Sequence, residues 1–236
     1  MNRICTIAVR GGSKGVPGKN WREVAGIPLF AHSVKQAVAS DLFSSIVVSS
    51  DAPEVLDFAI EFGATEVVAR PPLLASDTSG KVPAILHAVE TTESRKDTIF
   101  ETVVDLDATS PLRAISDIVG AVELLETNQL ESVVTAAEAR RSPYFNLIEV
   151  DQITGRVGVS KQLPNGVLRR QDAPETFDMN ASVYVWNRKA LAQQAQVFFP
   201  TTRIFEMPAE RSMDIDSEFD FEIVSWLMNK KEKSNG

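Results

Sequence analysis

One cysteine and two histidines in 236 residues leave little material for disulfide or imidazole chemistry. A single thiol, Cys5, excludes an intrachain disulfide framework and suits a reducing cytoplasm. It lies inside the apolar run "ICTIAV" and reads as a buried, inert side chain, not a nucleophile. His32 and His87 both fall in helix-period segments, which points to packing or surface roles and away from histidine catalysis. No apolar stretch approaches the ~20 residues that cross a bilayer, and "ICTIAV" is too short for a signal-peptide core and runs straight into charge. The expectation is a cytoplasmic protein with no membrane partner. Positive charge is also scarce: 24 Lys and Arg against 32 Asp and Glu give a formal net charge of −8. That balance argues against nucleic acid as a partner, because phosphate backbones need a basic face.

What is present is ordinary globular material, 44% hydrophobic and 24% charged, and the 236 residues fit one large α/β domain or two small ones. Short apolar runs at Ile4–Val9, Ile46–Ser49, Glu66–Val68, Thr102–Leu106 and Ser132–Thr135 read as strands. Between them, "PLFAHSVKQAVAS" sets Leu29, Phe30, Ser33, Val34, Ala37 and Val38 along one helical face, and "APEVLDFAIEFG", "KVPAILHAVETT" and "SDIVGAVELLET" read as further helices. Strands alternating with helices predict a mainly parallel sheet with helices on both faces. From about 140 to 180 the helical period is lost, and glycine-punctuated extended stretches read as an excursion that packs on a second subunit. "ASVYVW" then returns as a strand, and "SEFDFEIVSWLMNK" closes the chain as an amphipathic helix.

Against the acidic background, "VRGGSKGVPGKN" carries four glycines, Arg10, Lys14 and Lys19 directly after the first strand, and the first twenty residues hold no carboxylate at all. In an open parallel sheet that loop is the usual phosphate site, where glycines let backbone N–H groups turn inward. It is not a Walker A loop: Ser13 stands where a glycine is required, and Asn20 where Ser or Thr must follow the lysine. No dinucleotide-type glycine register fits either.

Six stretches in order resemble the motifs of the CMP-sugar synthetases, the acylneuraminate cytidylyltransferases in particular. They are "RGGSKGVPGKN", "VVSSD", "RPPLLASDTSG", "TSPLR", "NASVYVW" and "SMDIDSEFDF". The resemblance implies a Rossmann-like nucleotidyltransferase fold, usually a homodimer, that joins CTP to a nonulosonic 2-keto-3-deoxy sugar acid and releases pyrophosphate. It assigns Arg10, Gly11, Gly12, Ser13, Lys14 and Lys19 to the triphosphate, with Lys19 and Arg10 acting on the phosphate under attack. Asn20 and Arg70 match positions that read cytosine, and Ser79 lies in the stretch lining that pocket. Asp214 and Asp216 form a D-x-D pair; on an extended segment both carboxylates share one face and can meet one cation. The alternative is that either one caps the helix starting near Ser217. The resemblance makes them ligands of Mg²⁺. Arg170 aligns with an arginine on the substrate carboxylate, the alternative being a solvated Arg169–Arg170 pair; Asn180 and Tyr184 match positions around the sugar, although Tyr184 also reads as strand core.

The sugar half departs from the sialic-acid pattern. Asp107 replaces a glutamine in "LDATSPLR", Phe145 stands where a lysine is common, and Ala181 where glycine is common. An ionised carboxylate only accepts hydrogen bonds, so Asp107 requires a compensating contact, the simplest being different groups on the sugar. A metal-binding role for Asp105 or Asp107 is the rival. These departures favour a sugar acid of legionaminic or pseudaminic type, with an eight-carbon Kdo-type acid, or an inactive nucleotide-binding regulatory module, as alternatives.

Overall fold

The computed structural model describes residues 1–12, 15–76, 79–164 and 166–235. The first apolar run forms β1 (Arg3–Val9), and a short 3-10 turn at Lys19–Trp21 leads into the small hairpin β2 (Glu23–Val24) and β3 (Ile27–Pro28). Then follow α1 (Leu29–Ser40), β4 (Ser45–Ser50), α2 (Pro53–Glu61), β5 (Glu66–Ala69), α3 (Pro72–Ala75) and α4 (Lys81–Lys96). After these come β6 (Thr102–Leu106), α5 (Ile115–Asn128) and β7 (Ser132–Glu138). The last third holds the hairpin β8 (Ile148–Val150) and β9 (Val157–Val159), the long β10 (Phe177–Asn187), α6 (Arg188–Gln193), β11 (Arg203–Glu206) and α7 (Glu218–Asn235).

Seven strands make one sheet in the order β11-β7-β10-β6-β1-β4-β5. β1 pairs in parallel with β4 and β6, β4 with β5, and β11 with β7, while β10 runs antiparallel between β6 and β7. The expected mainly parallel α/β sheet is therefore what forms, with one reversed strand inserted. Alternation along the strands divides the core. Cys5, Ile7 and Val9 face one layer with Phe30, Val34, Val55 and Ile118, so α1, α2 and α5 cover that side. Ile4, Val47 and Val103 face the other, against Ile85 and Val89 of α4 and Leu191 of α6. Cys5 is buried and unpaired, and burial pushes its thiol up, as expected of an inert side chain.

β8 and β9 pair only with each other, so they lie outside the seven-stranded sheet. No helix among the described residues is long and apolar enough to cross a membrane.

Candidate active site

From β1 the chain moves outward to β4 and β5, then crosses back to β6 on the other side of β1. Connections therefore leave β1 and β6 in opposite directions, which opens a crevice beyond their carboxyl ends. A cleft of about 520 Å³ occupies that place, walled by the loops after β1 and β6 and by the segment before α7.

The glycine-rich loop forms its first wall. Arg10, Gly12, Gly15, Lys19 and Asn20 line the cleft; Ser13 and Lys14 lie outside the described residues. Gly18 takes φ +64°, a left-handed turn that brings Lys19 and Asn20 back to the site. Gly15 is required for a different reason: a Cβ there would overlap the carbonyl oxygen of Asp216, so only a glycine lets the two segments touch. The N–H of Gly11 donates to the Asp51 carboxylate at 2.9 Å, so this group anchors the loop and is not open to phosphate. Asn20 is buried, and its amide donates to the Arg10 carbonyl at 2.9 Å.

Arg70 and Ser79 stand on the same cleft. Burial pushes the Arg70 guanidinium down, and it is held by Ser49, donating at 2.8 Å to the carbonyl and 3.3 Å to the hydroxyl. Opposite, Ile215 is fully buried and its N–H donates to the Thr109 carbonyl at 3.0 Å, pinning an extended segment. The neighbours on either side, Asp214 and Asp216, consequently both reach the cleft. Neither serves as the α7 cap: Ser217 and Asp220 do that reciprocally, with Ser217 N donating to Asp220 at 2.8 Å and Asp220 N to Ser217 Oγ at 3.2 Å. Lys19 Nζ donates to the Ile215 carbonyl at 2.5 Å and lies 3.6 Å from Asp216.

The Asp214–Asp216 pair fits a hard divalent cation. Burial, then the charge of Asp216, raises the Asp214 carboxyl, a repulsion that a cation would relieve. Among the described residues no three acidic, histidine or cysteine side chains form a closed cage. Two carboxylates plus phosphate oxygens and water are, however, the usual Mg²⁺ environment.

The family profile described as "Cytidylyltransferase" matches residues 4–224. The chain belongs to the cytidylyltransferase family. It is 42% identical over 97% of its length, and 95% of the relative's, to post-translational flagellin modification protein B of Campylobacter coli. It is 41% identical to CMP-N,N'-diacetyllegionaminic acid synthase of Campylobacter jejuni, covering 98% of this chain and 97% of that one. Identity to pseudaminic acid cytidylyltransferase of the same species is 30%, with 99% of each covered. Among solved structures, a CMP:2-keto-3-deoxy-manno-octonic acid synthetase complexed with CTP superposes with TM-score 0.72 at 16% identity, over 98% of this chain and 100% of that one.

In this cytidylyltransferase, the residues expected around the sugar do not gather as the nucleotide residues do. Asp107 lines the cleft, but its compensating contact is within the chain. Lys81 Nζ donates at 2.7 Å to one carboxylate oxygen, and Thr109 N and Oγ1 donate at 2.8 Å to the other. Burial pushes the Asp107 carboxyl up, yet Lys81 and Thr109 outweigh it and hold it well below the carboxylate range. Asn180 is buried away from the cleft, accepting from Thr135 at 2.7 Å and donating to Ser212 at 2.9 Å. Tyr184 is strand core, stacked on Trp186 at 5.4 Å. Arg170 lies on a second cleft of about 490 Å³, donating to the Ala139 carbonyl at 2.7 Å and 3.5 Å from Glu138.

Two site residues escaped the sequence reading. Lys81 opens α4 and reaches the cleft floor; the signal was a lysine at the end of "RPPLLASDTSGK". Arg113 closes "TSPLR" and is fully buried, donating to Ser182 Oγ at 3.0 Å, Ser33 Oγ at 3.2 Å and the Asp107 carbonyl. Burial pushes its pKa down to about 10, against the pull of Asp107 and Asp105. It fixes the loop that carries Asp107.

Proposed function

We propose that the chain transfers cytidylate from CTP to a nonulosonic sugar acid of legionaminic type, releasing pyrophosphate, as a Mg²⁺-dependent cytoplasmic homodimer. The observation that carries this reading is the convergence of Lys19, Asn20, Arg70, Asp214 and Asp216 on one cleft at the sheet's switch point. The sugar class rests on 41% identity to a legionaminic acid synthase across nearly the full length of both chains.

The anomeric 2-hydroxyl oxygen of the sugar acid attacks the α-phosphorus, its proton passes to water, and the bond from the α-phosphorus to the bridging oxygen breaks, that oxygen leaving with pyrophosphate. Lys19, fixed between the Ile215 carbonyl and Asp216, presents a preorganised charge to the reacting phosphate. Arg10 and the loop beyond Gly11 hold the remaining phosphates, while Asn20 and Arg70 read the pairing edge of the base. A divalent cation held by Asp214 and Asp216 supplies charge neutralisation at the phosphates. Arg170, which lines the second cleft and not this one, serves the sugar carboxylate at the nucleotide cleft of the other protomer.

Pyrophosphate release measured with CTP or UTP and a panel of nonulosonic and Kdo-type acids tests the reading. Turnover should require CTP and a legionaminic-type acid. Asp214→Asn and Asp216→Asn should lower kcat by roughly 10²–10³, the usual range for a lost charge-stabilising group. Equal use of UTP, full activity in chelator, or preference for the eight-carbon acid would overturn it.

A further inference from the structure

A second carboxylate pair, Asp107 on the cleft and Asp105 buried beneath it, is not used by the proposed reaction. Asp105 lies on β6 and Asp107 two residues beyond, so both point to the face covered by α4. Lys81, the first residue of that helix, places Nζ 2.7 Å from an oxygen of each. The other oxygens are also engaged. Asp105 Oδ1 accepts from Thr6 Oγ1 at 2.8 Å, and Asp107 Oδ1 accepts from Thr109 N and Oγ1 at 2.8 Å each. The Tyr184 ring lies 5.3 Å from the ammonium.

We infer that Lys81 is a built-in cation: its ammonium occupies the position between Asp105 and Asp107 and closes this pair to divalent metal, leaving metal binding to Asp214 and Asp216 alone. The distances suit an ammonium, whose charge-assisted bonds to oxygen run ~2.7–2.9 Å, whereas Mg²⁺ requires ~2.0–2.1 Å. Asp105 is wholly buried, and a buried carboxylate needs a paired charge. Two such groups facing one point would draw in a cation if the protein did not provide one. Burial pushes Lys81 down, but Asp105 and Asp107 more than reverse this and hold it above its ordinary range, so the charge persists at any pH where the protein works. Chelators cannot remove it.

The half of this inference that concerns Asp214 and Asp216 rests on the proposed reaction; the half that concerns Lys81 does not. Mn²⁺ binding to the nucleotide-free protein, counted from the electron paramagnetic resonance signal of free Mn²⁺, separates them. Lys81→Ala should bind one Mn²⁺ per chain more than the natural sequence, and Lys81→Ala/Asp107→Asn should lose that extra ion. Asp107→Asn alone, which keeps Lys81, should leave the natural count unchanged and gives a result even if Lys81→Ala does not fold. Equal counts in Lys81→Ala and the natural sequence, or loss of an ion in Asp107→Asn, would overturn the role of Lys81. Retention of the natural count in Asp214→Asn/Asp216→Asn would instead overturn the metal assignment to that pair.

Discussion

At the scale of single residues, the positions that carry most consequence are those where backbone and side chain disagree with the residue type. Ala181 sits at φ +52° beside the register shift of β10 between Met179 and Tyr184. A left-handed non-glycine residue costs roughly 1–2 kcal/mol, part of which glycine returns as unfolded-state entropy. Ala181→Gly should therefore stabilise the protein by about 0.5–1 kcal/mol, read as a higher Tm; an unchanged or lower Tm would show that the strand imposes no strain. Gly15 is the opposite case. Gly15→Ala drives a methyl group into the Asp216 carbonyl and must displace the segment that carries Asp214 and Asp216. Misplacement of a reacting group by an ångström costs on the order of 10²-fold in rate, so kcat should fall by that order while Tm changes little. An unaltered kcat would mean that the segment shifts without cost. The need for glycine at 15 was legible only as composition, because the overlapping atom belongs to a residue two hundred positions away.

At the scale of elements, the long alternating segments were readable because their burial pattern is a local property: the six stretches read as strands and the five read as helices all form as such. α3 and α6 were not, since helices of four and six residues complete fewer than two turns and define no 3.6-residue period, and β11 was not, since none of its four residues is buried. Contacts between elements were hidden for another reason: Lys81 meets Asp105 and Asp107 only once α4 lies on β6. A similar junction ties the start of β1 to the end of α5. Arg3 makes two 2.8 Å bonds to Glu126, which also accepts from Thr102 Oγ1 at 2.9 Å. The Arg3 hydrogen bond, against burial and with help from Thr102, lowers the Glu126 carboxyl from its ordinary value of 4.5. Folding thus favours the ionised form: the stabilisation is complete above pH 4.5 and is lost as pH falls through the lower native value. Glu126→Gln should remove this part of the acid sensitivity, so its stability should decline less than that of the natural sequence between neutral and strongly acidic pH. Parallel declines in denaturant melts across that range would count against the junction.

At the scale of the whole molecule, the residues proposed for the nucleotide meet in one cleft of the chain, whereas Arg170, proposed for the sugar carboxylate, lines another. Arg70, Lys19 and the aspartate pair meet because the sheet's switch point gathers their loops, a consequence of topology that motif order in the sequence already carried. Arg170 depends on where the excursion goes, which no local pattern specifies. The β8–β9 hairpin indicates the direction. Its register sets Ile148 opposite Val159 and Val150 opposite Val157, so four aliphatic side chains share one face, and Ile148, Val150 and Val157 are 59%, 52% and 61% exposed. An isolated two-stranded hairpin is marginal in water and needs a surface to pack on. In the proposed homodimer a second copy of the chain would provide one, and would bring Arg170 to the opposite cleft. The protein should then sediment at twice its 25.8 kDa protomer mass, with a Tm that rises with protein concentration. Ile148→Asp/Val157→Asp should sediment as a protomer, lose the concentration dependence, and raise the KM for the sugar acid more than that for CTP. A natural protein that sediments at the protomer mass would refute the dimer. A variant that stays dimeric would move the interface off this hairpin. A monomeric variant with an unchanged KM for the sugar acid would show that Arg170 serves no partner, and that each cleft holds its sugar carboxylate with residues of its own chain.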